Sequence, residues 1–458
     1  MRRLAMLAAT LAAALAPPAR AIPAFARKYG TSCATCHTVY PKLTPFGEAF
    51  RRNSFRFPGT DSDYVKQDKI PLVPKVAGED DQYGMSAIPT LALGFNGQTL
   101  VHPDKTSSGG RADNGAVFLT RDIVAEGHLW AGGGVSDVVT YFGEVTFASG
   151  GGLTLEHAQV FASDVLGPKH AVNLRAGRGF STLNSFGPHS SYLSDQMLPS
   201  SGVTALNGAT GSTWNVFDHV NGFEVNGVVG GRFDYSAGIN SGSSADTRPS
   251  ENYYGHIGYK LGGLRLDGEG ENKVRDALRP WEERAITVDA FTYRAVNSAT
   301  FPDATATPAA AILLLDSATV VGGNVRAQLD SLELNAGVYW ETHNHAAFDG
   351  AGAKLLAPYG ELSYVVQPWL VPAIRVEYSS LLPENGARID NLRLLPGIAS
   401  AVRPNLKLVL TANLQSASGQ PPAGWGALGG VAAPAPSATA TSVGLELENI
   451  QLYGAFAF

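Results

Sequence analysis

The chain has 458 residues, of which 16% are charged, 9% are aromatic and 52 are glycine. An average soluble domain carries about 25% charged residues, and a disordered chain would be richer in charge and poorer in aromatic side chains. Two cysteines are too few for a disulfide scaffold, and a bundle of transmembrane helices would need runs of about 20 apolar residues, which the sequence lacks. The composition favours many short strands, in two or three soluble domains or in one large β architecture.

Residues 1–21 predict a secretory signal peptide. Arg2 and Arg3 precede an apolar run over 4–16, and Ala19-Arg20-Ala21 fits a small-x-small cleavage site. An N-terminal anchor is the alternative, although the run is short for a spanning helix. Cleavage removes three of the 34 basic residues and none of the 40 acidic ones, so the net charge of the mature chain is −9. We therefore expect an exported protein.

The two cysteines lie in a motif for haem attachment. Cys33 and Cys36 are separated by two residues and His37 follows directly, which is the C-x-x-C-H pattern of c-type haem. Thiols at this spacing reach the two vinyl groups of one porphyrin, and the adjacent histidine lies beneath the iron as its proximal ligand. A redox disulfide would need a thioredoxin-like context, a zinc site would need four ligands, and cysteines without a function are a third alternative. The motif predicts one covalent haem c.

The haem motif stands in a short basic segment. Residues 22–59 carry six basic residues and one acidic residue, a net charge of +5, whereas the rest of the mature chain has a net charge of −14. This asymmetry favours docking of the segment onto the rest of the protein, although charges that simply face water are the alternative. Thr44 and Pro45 predict the start of a helix over 46–52. Fewer than about 40 residues rarely fold without a staple such as haem or a docking partner.

From about residue 83 the hydrophobic pattern has a period of two. Residues 406–415 place leucine or alanine at every second position, and 324–330, 331–341 and 264–271 alternate in a similar way. Strands of about 10 residues with one apolar and one polar face are typical of an outer-membrane β-barrel, with lipid outside and a wet lumen. The pattern therefore predicts an all-β, transmembrane antiparallel barrel; a soluble β-sandwich or propeller is the alternative.

The pattern divides into about seventeen strand segments, of which the first is 85–96 and the ninth is 264–272. Bacterial single-chain barrels have an even number of strands. We therefore predict 16 strands, with 18 as the alternative, and place the counting error between 273 and 317. Four long connections predict extracellular loops: 97–114, 181–213, 298–317 and 416–436.

The C-terminal residues also fit a barrel. Ile450, Leu452 and Phe456 alternate up to the terminal Phe458, and the last strands of outer-membrane barrels closely resemble this pattern, which there serves as an assembly signal. The apolar register changes between Leu447 and Ile450. A change of register within one strand predicts a β-bulge.

Three stretches near the N-terminus resemble the fused outer-membrane monohaem cytochrome–porins, whose best-studied members are iron oxidases of iron-oxidising bacteria. They are Ile22-Pro23-Ala24-Phe25-Ala26-Arg27, the motif from Cys33 to His37, and Tyr40-Pro41-Lys42-Leu43-Thr44-Pro45-Phe46-Gly47-Glu48-Ala49-Phe50. With the positions around them, the match covers about 35 residues. The barrel matches this family only in pattern. Lys28-Tyr29 and Ser54-Phe55 differ from the residues that the iron-oxidising members have at these positions. The differences leave the haem motif intact and bear on whether iron is the substrate.

The resemblance implies a monohaem cytochrome c segment and linker over 22–80, which plugs or caps the lumen of a porin-like barrel over 81–458. It implies electron transfer in the bacterial outer membrane through one haem c attached at Cys33, Cys36 and His37. Extracellular Fe(II) or another small redox donor would supply the electron, and a periplasmic c-type cytochrome or another acceptor would receive it. With Fe(II) and a cytochrome this is the activity of an iron:cytochrome c oxidoreductase. The alternatives are a porin for transport and an electron-export barrel, in which the haem has a reductive, sensing or structural role. No nucleic-acid partner is expected.

The distal ligand of the haem iron is not evident near the motif. Between residues 22 and 74, His37 is the only histidine and methionine is absent. Met85 and Met197 are the methionines of the mature chain, and both are candidate distal ligands; an ordinary apolar contact is the alternative for each. His189 and His102 are less favoured candidates.

Overall fold

The protein is described here by a computed structural model. It describes residues 24–58, 69–71, 84–86, 91–103, 117–136, 138–180, 183, 186–187, 189–193, 210–211, 219–241, 252–270, 279–303, 310–345, 351–384, 386–403, 405–419 and 445–457. The predicted signal peptide, Met197 and Phe458 lie outside these residues, as do 104–116 and 420–444, which cover most of two predicted loops. No helix within the described ranges is long and apolar enough to cross a membrane.

Sixteen antiparallel strands form a closed barrel. They are, in chain order, β1 (Leu91–Pro103), β2 (Val117–Gly134), β3 (Val139–Ala148), β4 (Leu153–Leu166), β5 (Val172–Phe180), β6 (His219–Val229), β7 (Phe233–Asn240), β8 (Asn252–Gly262), β9 (Glu283–Asp303), β10 (Ala310–Asp330), β11 (Leu332–His343), β12 (Ala353–Tyr364), β13 (Val371–Pro383), β14 (Ile389–Arg403), β15 (Leu406–Ser418) and β16 (Glu446–Ala457). Each strand pairs with its neighbours along the chain, and β16 pairs with β1. Closure pairs both edges of the sheet, which confirms the predicted barrel and its 16 strands.

Side chains along the strands alternate between an exposed apolar face and a buried, largely polar face. In β8, Tyr253 and Ile257 are 56% and 54% exposed, whereas Tyr254 and His256 are each 7% exposed. An outward apolar face on a closed sheet is suited to contact with lipid, because every backbone group in the ladder is paired. This architecture places the protein in a bacterial outer membrane.

The predicted strand over 264–272 is wrong. Residues 263–270 form turns, with positive φ angles of 55°, 71° and 102° at Gly263, Gly268 and Gly270. Leu264 is buried in one cluster with Phe46 and other aromatic residues of the N-terminal segment, so its alternation reflects packing inside the barrel rather than contact with lipid. The counting error therefore lies just before the range that we predicted, 273–317.

Two other strand boundaries differ from the predictions. Residues 298–317, predicted as a loop, largely belong to β9 and β10, whose ladder continues to the pair Asp303 and Ala310. Met85 does not open the barrel: Gly84–Ser86 pairs with Lys69–Pro71 in a separate two-stranded sheet, and β1 begins at Leu91. Both errors arise because a ladder is set by the partner strand as much as by local periodicity.

The predicted bulge in the last strand is confirmed. Asn413 pairs with Asn449 and the next residue, Leu414, pairs with Leu447, so Glu448 is the extra residue of β16. A classic bulge of this kind shifts the faces of the strand by one residue, which is why the apolar register changes there.

Residues 24–58, which we call the N-terminal segment, form two short helices and a tight hairpin. Helix α1 (Ala24–Tyr29) is followed by a 3₁₀ turn at Cys33–Thr35 and by two short paired strands, His37–Val39 and Lys42–Leu43. Helix α2 is Pro45–Arg52, and the hydroxyl of Thr44 accepts a hydrogen bond from the Gly47 amide at 3.1 Å. This N-cap confirms the helix start that the sequence predicts.

The N-terminal segment packs against the buried face of the barrel strands. Its helices and turns share a cluster with Leu264, and the Phe55 ring stacks on Phe142 of β3 with ring centroids 4.8 Å apart. Four ion pairs join the segment to residues of the barrel domain: Lys42–Glu333, Glu48–Arg326, Arg52–Asp234 and Arg56–Asp164. In three of these pairs a basic residue of the segment meets an acidic residue of the barrel domain, as the charge asymmetry favours, and in Glu48–Arg326 the charges are reversed.

Part of the connection between β5 and β6 also lies inside the barrel. Leu183, Phe186, Tyr192 and Leu193 are each at most 2% exposed. The Lys407 ammonium group of β15 donates to the carbonyl oxygen of Leu193 at 2.9 Å. The described residues between 183 and 193 therefore fold inward, rather than standing outside the barrel as a surface loop, whereas Thr210–Gly211 pairs with Thr300 and Ala299 of β9.

Candidate functional site

Cys33, Cys36 and His37 line one cavity between the N-terminal segment and the barrel wall. Its volume is about 490 Å³, within the range of about 300–1,000 Å³ that is usual for small-molecule and cofactor sites. We call it the motif cavity. Both cysteines carry free thiols, held on the 3₁₀ turn whose N-cap, Ser32, accepts from the Ala34 amide at 3.0 Å.

Helix α2 begins directly on the motif. The amide of Thr44 donates to the Cys36 carbonyl oxygen at 2.9 Å, and its hydroxyl donates to the Thr35 carbonyl oxygen at 2.7 Å. A Cβ atom on Gly47 would lie 2.1 Å from the Cys36 carbonyl oxygen. Glycine at this position lets the helix pack against the backbone of the second cysteine, which fixes the orientation of the motif.

The imidazole of His37 is oriented by a backbone carbonyl group. Its Nδ1 atom lies 3.3 Å from the Pro41 carbonyl oxygen. A proton on Nδ1 that is donated to this oxygen leaves a lone pair on Nε2, as in many metal-binding histidines. Burial lowers the pKa of His37 to about 4, against the opposing effect of the Pro41 and Lys42 carbonyl groups. The ring is therefore neutral at physiological pH, the form that binds a metal.

The two thiols are protonated at neutral pH. Burial raises the pKa of Cys36 to about 12, and the neighbouring Cys33 acts in the same direction. Burial also raises the pKa of Cys33. Disulfide exchange proceeds through the thiolate, so the surroundings of the motif disfavour the redox-disulfide alternative. In the described part of the chain, the one group of potential metal ligands that converges contains no cysteine.

Aromatic rings form much of the remaining lining. Phe25 stacks on Phe55 with centroids 5.6 Å apart and planes 1° from parallel, and Phe50 packs edge-on against both rings. From the barrel side, Trp130 contacts Tyr40 at a centroid distance of 5.9 Å. An apolar, aromatic lining with a few polar groups is suited to a large planar ligand.

His189 reaches the motif from the connection between β5 and β6. Its Nδ1 atom also lies 3.3 Å from the Pro41 carbonyl oxygen, and its own carbonyl oxygen accepts from the Leu43 amide at 2.8 Å. Burial lowers the pKa of His189 to about 3, and the nearby Arg51 lowers it further. The sequence indicated His189 only as a less favoured ligand, because nothing local predicts that the connection folds inward.

Of the other predicted ligands, only His102 has a described side chain. Met197 lies outside them, and for Met85 only the backbone is described. His102 lies in β1 and does not line the motif cavity. The role of either methionine as the distal ligand therefore stays a prediction.

A second group of side chains lines the cavity from the barrel wall, and sequence reasoning missed it. His128 of β2, Glu144 of β3 and Glu156 of β4 offer ligand atoms that lie within 4.8 Å of one another. His157 lies beside Glu144, and His219 of β6 lies beside His157. Inward histidines and glutamates spaced along three strands give no recognisable motif, which is why only the folded barrel brings them together.

The comparisons with known proteins concern the fold. No protein-family model and no curated protein matches the chain. A loop-deletion mutant of OmpT, an outer-membrane protein of Vibrio cholerae, is similar in structure, with 10% sequence identity over 81% of this chain and 99% of that chain and a TM-score of 0.51. An anion-selective porin from Comamonas acidovorans is similar with 10% identity, 81% and 100% coverage and a TM-score of 0.51. At this identity the likeness shows a porin-like barrel.

Proposed function

We propose that the protein transfers electrons across the outer membrane through one haem c held inside the barrel. The observation that carries this proposal is the motif cavity, where both thiols and the histidine of the C-x-x-C-H pattern line one space of about 490 Å³. Extracellular Fe(II) is the proposed donor and a periplasmic c-type cytochrome the proposed acceptor. The activity is then that of an iron:cytochrome c oxidoreductase.

The residues of the cavity fit a covalent haem. Cys33 and Cys36 are free thiols that line the cavity together with the His37 imidazole. Hydrogen bonding of Nδ1 to Pro41 is the arrangement that leaves Nε2 available for iron. The flat pair Phe25 and Phe55 supplies the apolar surface that a porphyrin ring needs.

Each group of the chain has a definite task in this proposal. A bound haem supplies reversible one-electron chemistry at the motif cavity. Cys33 and Cys36 would hold it in place, and His37 would be its proximal ligand. Met197 or Met85 remains the proposed distal ligand. The N-terminal segment carries the site as a plug inside the lumen, and its ion pairs to the wall, such as Lys42–Glu333 at 2.8 Å, hold the plug in position.

The proposal is tested on the full chain produced in a bacterium that attaches haem c. One haem per chain, linked so firmly that it survives denaturation, is the expected result, and the Cys33→Ser/Cys36→Ser double variant should carry none. A redox titration then follows the haem absorbance as Fe(II) is added. A wild-type chain without covalent haem contradicts the proposal as a whole, whereas haem that Fe(II) fails to reduce contradicts the proposed donor.

A porin for transport is the alternative that the barrel architecture favours. The chain has a closed, porin-like barrel with a polar interior, and a 16-stranded barrel is wide enough for an aqueous channel. The N-terminal segment and residues 189–193 lie inside this lumen and reduce the space for solutes. Conductance of the purified protein in a planar bilayer separates the two functions: sustained ion currents with no covalent haem favour transport.

A further inference from the structure

We propose that His128, Glu144 and Glu156 form a binding site for a divalent transition-metal cation in the wall of the motif cavity. The role of this site rests on the proposed electron-transfer function. A cation held here would lie beside the haem motif and would be the electron donor. Each of the three side chains lines the cavity, and they come from adjacent strands, β2, β3 and β4.

The set of ligand atoms selects the class of cation. One imidazole nitrogen and two carboxylate oxygens lie within 4.8 Å of one another. Ca²⁺ and Mg²⁺ prefer oxygen ligands alone, whereas mixed imidazole and carboxylate ligands suit first-row ions such as Fe²⁺, Mn²⁺, Co²⁺ and Zn²⁺. Two carboxylates also balance the charge of a divalent cation.

A β-bulge turns two successive residues of β4 toward the cavity. Neighbouring side chains of a regular strand point to opposite faces, so Glu156 and His157 would normally be separated by the sheet. Glu144 pairs with His157 and Val145 pairs with Leu155, which makes Glu156 the extra residue of the bulge. Both Glu156 and His157 line the cavity as a result. Bulges are frequent beside functional sites because they redirect a side chain in this way.

Glu144 is held between two histidines. One carboxylate oxygen lies 2.9 Å from Nδ1 of His128, and the other lies 2.8 Å from Nδ1 of His157. A cation that binds to His128 and Glu144 displaces the proton that they share, and His157 keeps the carboxylate oriented, as a histidine beside a metal-bound carboxylate does. His157 is therefore a positioning residue rather than a ligand.

A chain of ring contacts connects the cation site to the haem motif. His128 stacks on Trp130 with centroids 5.3 Å apart and planes 4° from parallel. Trp130 contacts Tyr40 at 5.9 Å, and Tyr40 contacts His37 at 5.6 Å. A haem held by Cys33, Cys36 and His37 would supply the one-electron acceptor at the end of this chain, and the cation would lose one electron to it and pass from the +2 to the +3 state.

The test measures cation binding apart from electron transfer. Co²⁺, which a c-type haem does not oxidise under these conditions, is titrated by calorimetry into the purified full-length haem protein in detergent. We expect one site whose Kd rises at least about tenfold in Glu144→Gln and in Glu156→Gln. Glu384→Gln is the matched control, because Glu384 lies outside the cavity and bonds the Gly352 amide at 2.9 Å through an oxygen that glutamine retains. Heat-modifiable mobility on a gel shows that each variant has a folded barrel.

The outcomes separate the cation site from the haem. Equal Co²⁺ binding in the wild type and in both glutamine variants overturns the cation site, even where Fe(II) reduces the haem normally. Site-specific Co²⁺ binding by a chain that carries no covalent haem supports the site and contradicts the electron-transfer role. Weaker Co²⁺ binding in Glu144→Gln and Glu156→Gln, together with slower reduction of the haem by dilute Fe(II), supports both the cation site and its role in electron transfer.

Discussion

His37 and His189 hydrogen-bond the same acceptor: the Nδ1 atom of each lies 3.3 Å from the carbonyl oxygen of Pro41. The predicted proximal ligand therefore shares its orienting group with a residue from a distant connection. A proximal histidine that donates more strongly to its partner becomes a stronger ligand of ferric iron, so this sharing should affect the reduction potential of the proposed haem.

Replacing His189 should change the potential and not the attachment of haem. In His189→Leu the Pro41 carbonyl group bonds to His37 alone, so its hydrogen bond strengthens and the midpoint potential falls. Haem content should be unchanged, because the thiols are not affected. Spectroelectrochemical titration of the variant beside the wild type measures the shift, and an unaltered potential would show that His189 does not act through Pro41.

Gly47 should not tolerate a side chain. A Cβ atom there would lie 2.1 Å from the Cys36 carbonyl oxygen, so Gly47→Ala forces α2 away from the motif at a cost of about 1–3 kcal/mol. We expect less covalent haem per chain and earlier thermal loss of the haem spectrum. Gly150→Ala is the control, since a Cβ atom at Gly150 meets nothing within 4 Å. Similar haem content in the two variants would contradict the tight packing.

The buried pair Lys42 and Glu333 should anchor the N-terminal segment. The two groups lie 2.8 Å apart, and Glu333 also accepts from Arg326 at 3.0 Å. Lys42→Met removes one charge of a buried network in which Glu333 keeps Arg326 as a partner, so we expect a cost of about 1–3 kcal/mol. The expected result is faster cleavage of the N-terminal segment by protease in a barrel that stays folded. A double variant, Lys42→Met with Glu333→Leu, should recover part of the loss, and an equal loss in both would argue against the pairing.

Docking of the N-terminal segment should weaken in acid. Burial would raise the pKa of Glu48, but Arg326 and Arg52 beside it lower the pKa to about 2, from 4.5. A carboxyl group whose pKa is lowered by folding stabilises the folded state above pH 4.5, by about 3 kcal/mol here, and this contribution is lost as the pH falls toward 2. Protease sensitivity of the segment should therefore rise across this window in the wild type.

The variant Glu48→Gln isolates this effect. It lacks the titrating carboxyl group, so protease should cleave its N-terminal segment faster than that of the wild type at neutral pH. The cleavage rate should also change less between pH 4.5 and 2 than it does in the wild type. If the acid sensitivity of the two proteins runs in parallel, another group controls docking.

Much of the fold follows from local pattern. Alternation along the chain predicts the barrel, because one face of each strand meets lipid and the other meets the lumen. The bulge at Glu448 was predictable for the same reason, the even number of strands followed from the rule for bacterial single-chain barrels, and Thr44 marks the start of α2 through its N-cap. The prediction failed at 264–272, where alternation arises from packing against the N-terminal segment, and at 298–317, where pairing between β9 and β10 extends both strands.

The sequence by itself determined the presence of the C-x-x-C-H motif, the class of fold and the charges of its two regions, since these depend on residue type and short spacing. Only the tertiary structure decided that Cys33, Cys36 and His37 line a cavity inside the barrel, that the connection carrying His189 turns inward, and that Glu144 and Glu156 meet His128. These relationships join residues far apart in the chain. They exist because closure of the sheet brings distant strands around one lumen, and no local pattern encodes which inward side chains will then face each other.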